Sequence, residues 1–543
     1  MARVVPTGDV FGLSRNGYTV EHHGMAVADG MTGRDATARD GAAPARLVAR
    51  RLVAPFALAA IAAVPVLLTI PFMHEPFDRD EGAYATIAQG LTHGLLPYRD
   101  LFDHKPPGIY VWYALSFRVF GESVVAPRLM GGLVLAAITL LLFRACSMLY
   151  GKRAGWVGAG VFALSTGIAL INPAMNTEPF TLLPMVAALV AFLQSRRHAP
   201  LRWCVAAGVL GGVAVMTKPV AIFNIGALAA IPIIGAAMHG EEWSGAVKRV
   251  ASIAAGGVAA CAAACLPFVA FGALPQFLYA NVRYNSLYEG ELATHDVLVR
   301  GGLSATIFLA VAAPFCIAAF IGLHTSARLR RWPADPLVVL WFLASAAGMA
   351  STAHFFMHYY VMVLPALALL VAALTEVQPP LLRSRLVALA VYAAVGVAGF
   401  TAVRQASNVY FAGGPTARHA AKEPSDVDAA RAPQNQVIGT FLKAHTFPNQ
   451  TIWNYGRDSQ IYFYADRSPA VRFFYDRPFW LDHSTLIETI ASLRRARPEY
   501  IIDTQPGDAW DYHPPELMAL LAQQYDYVGK LAYADLYRLK VAG

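Results

Sequence analysis

The sequence predicts an α-helical polytopic membrane protein that ends in a small α/β domain. Of its 543 residues, 56% are hydrophobic and 14% are charged, whereas soluble domains average roughly 45–50% apolar and about 25% charged residues. Apolar runs fill the chain up to residue 403, and a soluble composition follows them. We therefore expect most of the chain to lie in membrane spans of about 20 residues each.

Eleven apolar runs predict about 11 transmembrane helices within a membrane module at 51–403. A tight turn, MTKPV, separates the fifth run from the sixth. The runs cover 52–71, 123–149, 154–171, 178–193, 202–217, 220–238, 250–271, 302–323, 336–353, 358–375 and 385–403.

Basic residues mark alternate connections between these runs. Because cytoplasmic loops are enriched in Lys and Arg, they predict a cytoplasmic N-terminus, an extracytoplasmic C-terminus and outer loops at 72–122 and 272–301. The net charge of +8 then reflects topology in an inner (plasma) membrane and not nucleic-acid binding, since the charges are scattered over short loops. The basic residues are Arg50, Arg51, Lys152, Arg153, Arg196, Arg197, Lys248, Arg249, Arg328, Arg330, Arg331, Arg383 and Arg385.

Two polar pieces flank the module. Residues 1–50 lack hydrophobic periodicity, which predicts a disordered cytoplasmic tail, and Met25 or Met31 is an alternative start. Residues 404–543 alternate strand-like TIWNYG, VRFFY, YIIDT and YVGKLAY with helix-like NQVIGTFLKAH, LIETIASLRRA and PELMALLAQQY, which indicates an extracytoplasmic α/β domain. Neither GxxxxGK[ST] nor GxGxxG between strand and helix occurs in the chain, so the sequence shows no site for a cytosolic nucleotide.

Three carboxylates follow the first span in DRDEGAYATIAQG, at Asp78, Asp80 and Glu81. Ionisable groups beside a membrane are functional hypotheses by default. The spacing of Asp78 and Glu81 also fits a capping box that starts a helix, and we weigh that structural role equally for Asp78. It leaves Asp80 unexplained.

Lys105 lies in the same outer loop, in LFDHKPPG, before the aromatic segment IYVWYALSFRVFG. This segment is too short to span, and Tyr110, Trp112, Tyr113 and Phe117 predict a helix in the interface plane. Lys105 would then lie at the depth of lipid phosphates. An ammonium there stabilises a departing phosphate, and a nearby carboxylate takes a proton from an incoming hydroxyl.

DRDEGAYATIAQGL and DHKPPGIYVWYALSFRVFG resemble the first outer loop of GT-C type glycosyltransferases that use polyprenyl-phosphate sugars. The superfamily includes bacterial aminoarabinose transferases, rhizobial galacturonosyltransferases and protein O-mannosyltransferases. The resemblance covers about 52–403, through NPAMNTEPF, MTKP, LYANVRYNSLY and HYYVMVLPALALL. It implies inverting transfer of a sugar from a polyprenyl-phosphate donor to an acceptor hydroxyl of an envelope glycan, lipid or protein on the outer face.

The resemblance also implies roles for individual residues. Asp80 is the expected catalytic carboxylate, assisted by Glu81, and Lys105 is the expected ligand of the donor phosphate. Tyr84 and Glu178 are expected to line the pocket. Two positions depart from the aminoarabinose transferases, which have Arg at the position of Ala83 and an acidic residue at that of His104. A substitute for that Arg would come from Arg79, Arg99 or Lys218.

Each of the remaining polar residues allows a functional and a structural interpretation. Lys218 is equally a phosphate ligand or a Lys that snorkels to the interface. Tyr284 and Asn285 lie in a 30-residue outer loop, 272–301, and loops of that length are often lids or binding loops. His354 and His358, followed by Tyr359, form a metal pair at helical spacing or an aromatic cluster at the interface. We count His104, Tyr284, Asn285, His358 and Tyr359 as pocket residues.

The sequence leaves open whether the protein uses a metal and which of two functions it has. No cofactor is certain, and a divalent metal is conceivable because Asp78 and Asp80 have the spacing of a metal-binding carboxylate pair. The rival function is a transporter or flippase of lipid-linked sugars, which would show inverted repeats and mid-membrane polar residues. We see no repeat in the sequence, and its charges cluster at one interface.

Overall fold

A computed structural model describes residues 42–168, 174–290, 293–328, 336–376, 413, 427–505 and 513–540. The predicted tail and the apolar run at 385–403 fall largely or wholly outside these residues. The helices of the apolar part are α1 Ala42–Thr69, α2 Arg79–Thr92, α3 Gly108–Phe120, α4 Val125–Tyr150, α5 Lys152–Ser165, α6 Thr177–Ser195, α7 Pro200–Val215, α8 Ile222–His239, α9 Trp243–Ala270, α10 Leu274–Leu278, α11 Asn285–Glu289, α12 Thr294–Val311, α13 Ala313–Arg328, α14 Leu337–Ala350 and α15 Leu364–Ala373.

Five helical stretches among the described residues are long and apolar enough to cross a membrane, and three apolar helices are shorter. A sixth crossing exists if α12 and α13 count as one span, but the two are bent by 84°. The run at 302–323 is therefore not the straight helix that we predicted, since Pro314 has no N–H to continue the helical hydrogen bonds. The five stretches are Ala54–Phe72, Val125–Tyr150, Thr177–Ser195, Pro219–His239 and Trp243–Ala270.

Small residues allow a close contact between α7 and α9. A Cβ atom on Gly208 would lie 2.0 Å from the Ile253 carbonyl oxygen, and one on Gly256 would lie 2.3 Å from the Val205 carbonyl oxygen. Both positions therefore require glycine. Close backbone contact through small residues is typical of helix pairs in membranes, where apolar side chains gain little by leaving lipid.

The predicted capping box forms at the start of α2. The Asp78 carboxylate accepts from the Glu81 amide (2.7 Å), and the Glu81 carboxylate accepts from the Asp78 amide (3.3 Å). The structural role weighed for Asp78 is thus confirmed.

Three aromatic residues of α3 do not face the membrane interface, where we predicted them. Tyr110, Tyr113 and Phe117 are buried inside the protein, while Val111, Leu115, Val119 and Phe120 are exposed. At spacings of four residues, the aliphatic side chains form one outward face. The aromatic rings instead complete the core beneath α2, where Tyr113 packs on Tyr84 with ring centroids 5.7 Å apart.

The C-terminal part contains helices α16 Val427–His445, α17 Gln460–Ala465, α18 Arg477–Leu481, α19 His483–Ala496 and α20 Pro515–Gln524 and strands β1 Ile452–Tyr455, β2 Tyr500–Asp503, β3 Tyr525–Leu531 and β4 Ala534–Leu539. The sheet order is β1-β2-β4-β3, with β1 parallel to β2 and the other pairs antiparallel.

The strand predicted at VRFFY, 471–475, does not form. Strand β4 was not predicted from the sequence. The Arg472 carbonyl accepts from the Phe102 amide at 2.9 Å, and the Phe473 ring packs on that of Phe102 with centroids 4.8 Å apart. The segment therefore contacts the first outer loop instead of a neighbouring strand.

The C-terminal part packs directly on α2. The Thr86 hydroxyl donates to the Ser459 carbonyl (3.0 Å), and the Tyr464 hydroxyl accepts from the Phe77 amide (2.7 Å). At Gly82, a Cβ atom would lie 2.4 Å from Cβ of Gln460. These contacts place the C-terminal part on the same side of the bundle as the acidic loop, as predicted.

Candidate active site

Asp80 is the second residue of α2, and its side chain is 37% exposed. Its Oδ1 lies 3.5 Å from Nε of Arg79. Burial raises the pKa of Asp80, but electrostatic interactions, first with Arg79 and Lys105 and then with His358 and His104, outweigh it and lower that pKa to about 2. Asp80 is therefore an anion near the cations Arg79 and Lys105.

Lys105 is held at its backbone and at its ammonium group. Its carbonyl oxygen accepts from the hydroxyls of Tyr98 (2.7 Å) and Tyr110 (3.1 Å), and its Nζ lies 2.9 Å from Nε2 of His104. Tyr98 adopts a left-handed backbone with φ 68°. Strain of this kind costs on the order of 1–3 kcal/mol and tends to occur at functional sites.

Gly108 brings the Lys105 loop, which we define as residues 98–107, against the predicted MTKP turn. The Gly108 amide donates to the Met216 carbonyl at 2.8 Å, and a Cβ atom there would lie 2.6 Å from the same oxygen. Lys218 follows this turn, so the contact brings the two predicted phosphate ligands into one region.

Lys218 forms an enclosed ion pair with Glu178. The two side chains are in direct contact, at 11% and 1% exposure. The Lys218 ammonium also lies 3.7 Å from the ring centroid of Tyr359, and Nε2 of His358 lies 4.0 Å from the Glu178 carboxylate. The snorkelling alternative for Lys218 is wrong, since its ammonium is inside the protein.

Glu81 anchors α2 to the bundle. Its carboxylate accepts from the Arg128 guanidinium (2.7 Å) and the Met175 amide (3.1 Å) and is 1% exposed. Arg128 also donates to the carbonyl oxygens of Phe72 and Pro76. These contacts enclose and engage the oxygens of Glu81, unlike those of the partly exposed Asp80.

Tyr84 lies beneath Asp80 on α2 and is 2% exposed. Burial raises the pKa of its hydroxyl, and the charges of Asp80 and Asp103 raise it further. Tyr84 is therefore a neutral donor at the floor of the site.

The predicted outer loop at 272–301 is largely helical in its described residues. Tyr284 is fully buried against Phe102 and His104, with ring centroids 5.1 Å and 5.5 Å away. The Asn285 amide donates to the His104 carbonyl at 3.0 Å. Both predicted pocket residues thus cover the Lys105 loop.

Arg99 does not join these residues. Its guanidinium pairs with the adjacent Asp100 at 2.8 Å, and its side chain is 41% exposed. Within the described part of the chain, no group of three His, Cys, Asp or Glu residues could hold a metal ion. The His354 ring packs at a tilt against Tyr288 and stacks on Phe356, with centroids 4.6 Å and 5.5 Å away, as expected for an aromatic cluster.

Sequence reasoning missed Asp103, Arg128 and Tyr475. Asp103 is 4% exposed and accepts from the hydroxyls of Tyr110 (2.9 Å) and Tyr475 (3.3 Å). Tyr475 is remote in sequence, so no local pattern indicated it. Asp103 is the first residue of DHKPP, so its position next to His104 and Lys105 was the available signal in the sequence.

Comparisons with known proteins agree with this architecture. A family model described as dolichyl-phosphate-mannose-protein mannosyltransferase matches residues 104–271, which include Lys105, Glu178 and Lys218. The crystal structure of ArnT from Cupriavidus metallidurans bound to undecaprenyl phosphate superposes with a TM-score of 0.55 and covers 88% of this chain and 97% of that one at 17% identity.

The chain has the GT-C fold. ArnT from the same organism in the apo state gives a TM-score of 0.53 at 16% identity, over 89% of this chain and 98% of the other. No curated protein gives a match by sequence. Lys105 and Lys218 lie within the residues that the family model matches, whereas the acidic loop with Asp80 precedes them.

Proposed function

We propose that this chain is a membrane glycosyltransferase that moves a sugar from a polyprenyl-phosphate donor to an acceptor hydroxyl on the outer face, with inversion. The observation that carries the proposal is the ionised Asp80 on a GT-C fold, near the positive charges of Arg79 and Lys105. An anion facing cations across a partly exposed space suits a reaction that separates a sugar from a phosphate.

Lys105 binds the donor phosphate in this proposal. Its ammonium contacts a neutral imidazole and therefore keeps its positive charge for a ligand. Arg79 contributes a second charge beside Asp80, and its side chain is 39% exposed. As the bond between the anomeric carbon and the phosphate oxygen breaks, these cations stabilise the polyprenyl phosphate that leaves.

Asp80 receives the proton of the acceptor hydroxyl. A carboxylate with a pKa of about 2 is a weak base, so it orients the hydroxyl and takes the proton late. This timing fits a glycosyl transition state in which bond breaking is ahead of bond formation. The acceptor oxygen bonds to the anomeric carbon from the face opposite the phosphate, and the products are the glycoside and polyprenyl phosphate.

Lys218 has a different role, because Glu178 already neutralises its positive charge. We assign the pair, with His358 and Tyr359, to one wall of the sugar and phosphate pocket. Tyr84, His104, Tyr284 and Asn285 complete or support the pocket around the Lys105 loop.

The rival function is transport of a lipid-linked sugar across the membrane. It would also use a cationic site, but it does not need an ionised carboxylate next to the phosphate ligand. Asp80 and Lys105 lie on α2 and on the Lys105 loop, the two segments that the C-terminal part contacts, and this placement favours the enzyme.

The test is turnover of a panel of polyprenyl-phosphate sugars by purified protein, with release of polyprenyl phosphate as the readout. Asp80→Asn should slow turnover by about 10²- to 10⁴-fold and keep donor binding. Lys105→Ala should weaken donor binding and slow turnover by about 10²- to 10³-fold. Parallel assays with EDTA and with added Mg²⁺ or Mn²⁺ decide whether a metal is needed.

Arg99→Ala is the matched control, because it removes an exposed cation of the same loop that pairs with Asp100. It should turn over like the wild type. If both Asp80→Asn and Lys105→Ala keep normal turnover, or if no donor is consumed, the proposal fails and the transport function becomes the better hypothesis.

A further inference from the structure

The C-terminal part reaches the Lys105 loop through residues 472–475. The Arg472 carbonyl accepts from the Phe102 amide at 2.9 Å, and the Phe102 ring lies between those of Phe473 and Tyr284, with centroids 4.8 Å and 5.1 Å away. The Arg472 guanidinium lies 4.5 Å from the Phe473 centroid and covers this cluster. A segment far away in sequence therefore shapes the loop that carries Lys105.

Asp103 is the polar contact at this junction. It is buried, and its carboxylate accepts from hydroxyls on two sides, Tyr110 of α3 at 2.9 Å and Tyr475 of the C-terminal part at 3.3 Å. Its Oδ1 also accepts from the His104 amide at 2.7 Å and lies 3.1 Å from the His104 imidazole. The two phenols fix the carboxylate in place against His104.

His104 transmits this position to Lys105. Its Nε2 lies 2.9 Å from the Lys105 ammonium. An ammonium has only donors, so Nε2 accepts and the ring proton is on Nδ1. Nδ1 lies 3.1 Å from Asp103 Oδ1 without the angle of a hydrogen bond, so the bond from the His104 amide to that oxygen is the direct tie between the two residues. A carboxylate beside a histidine commonly helps to orient the ring.

We propose that Tyr475 is a positioning residue for Lys105, acting through Asp103 and His104, so that the C-terminal part completes the donor-phosphate site. The inference rests on the proposed function and adds to it. Without the Tyr475 hydroxyl, Asp103 has one fewer donor to hold it. His104 and Lys105 then sample more orientations, and the phosphate meets a less ordered ammonium.

Tyr475→Phe isolates the hydroxyl, because the phenylalanine ring can keep the packing on Phe102 and Phe474, with centroids 6.2 Å and 5.4 Å away. Tyr462→Phe is the matched control. Tyr462 is also fully buried in the C-terminal part, and its hydroxyl accepts from the Asn454 amide and donates to the Phe474 carbonyl. Its hydrogen bonds stay within the C-terminal part.

The experiment measures binding of undecaprenyl phosphate to the full chain in Tyr475→Phe, Lys105→Ala and the double variant. Tyr475→Phe should weaken binding by about 3- to 10-fold, the range for an ordinary intramolecular hydrogen bond, because the lost bond acts on the ligand only through Asp103 and His104. In the Lys105→Ala background the same change should have no further effect, because residues that act through one another are not additive. Tyr462→Phe should bind like the wild type even where its thermal stability is lower.

Steady-state kinetics give a second readout. Tyr475→Phe should raise the KM for the donor by the same factor and leave the KM for the acceptor unchanged. The inference is overturned if Tyr475→Phe binds like the wild type, or if its effect persists fully in the Lys105→Ala background. If Lys105→Ala itself does not weaken binding, the proposed function fails first.

Discussion

The site contains two carboxylates and two lysines, in two different settings. Glu178 and Lys218 are in direct contact and almost fully enclosed. Asp80 is 37% exposed and lies 3.5 Å from the Arg79 guanidinium, and the Lys105 ammonium contacts the His104 ring. The enclosed pair neutralises itself, whereas Asp80 and Lys105 are each partly exposed and can contact a ligand. The residue types alone do not distinguish these two settings.

Breaking the enclosed pair should have the largest effect on stability. Lys218→Ala leaves Glu178 charged and unpaired in the protein interior, which typically costs about 3–5 kcal/mol. Lys105→Ala should cost less than about 1 kcal/mol, as expected for a partly exposed charge. Thermal unfolding of the two variants in the same detergent measures the difference.

A double variant sharpens the same comparison. Glu178→Leu with Lys218→Met removes both charges of the enclosed pair, and apolar replacements of this kind are often neutral for stability. It should recover most of the stability lost in Lys218→Ala. Equal stability of Lys218→Ala and Lys105→Ala would contradict the distinction between an enclosed and an open pairing.

A smaller loss of stability is expected for a substitution at the contact between the C-terminal part and α2. Gly82→Ala places a Cβ atom 2.4 Å from Cβ and 2.7 Å from Cα of Gln460, so backbone has to shift, at about 1–3 kcal/mol. Gly160→Ala is the control, since a Cβ atom there meets nothing within 4 Å. A stability of Gly82→Ala equal to that of Gly160→Ala would show that this contact is loose.

The smallest effect concerns pH. The pKa of Asp80 is about 2, so Asp80 stays ionised and produces no loss of turnover between about pH 4 and 8. Burial and the charge of Lys105 lower the pKa of His104 below 6.5 against the pull of Asp103. As the pH falls below 6.5, His104 in the unfolded protein therefore binds a proton before His104 in the folded protein does. The folded state loses stability over that pH range.

Protonation of folded His104 also removes the acceptor for the Lys105 ammonium. Because the pKa of folded His104 is lowered, the donor KM should rise at a lower pH than that at which stability begins to fall. A pH series of donor KM in wild type and His104→Gln checks this, because the glutamine carbonyl accepts at all pH values. A rise that persists in His104→Gln would exclude His104 as its source.

The sequence predicted those features that depend on residues close together in the chain. The capping box of Asp78 and Glu81, the MTKP turn, strands β1 and β2 and the grouping of Asp80 with Lys105 all follow from short patterns. Arg128, Asp103 and Tyr475 could not be found in this way, because their partners are distant in sequence or their role depends on distant residues. The aromatic residues of α3 were placed on the wrong face because composition alone does not say which side of a short helix meets protein.

The most direct test compares two adjacent carboxylates on α2. Asp80→Asn and Glu81→Gln each remove one charge, and release of polyprenyl phosphate from a saturating donor is measured for folded protein of each. The structure predicts a loss of about 10²- to 10⁴-fold for Asp80→Asn. Glu81→Gln should lower stability and keep turnover within about tenfold of wild type, or about 1.4 kcal/mol of barrier. Normal turnover in Asp80→Asn, or an equal loss in Glu81→Gln, would contradict the assignment of Asp80 as the reacting carboxylate.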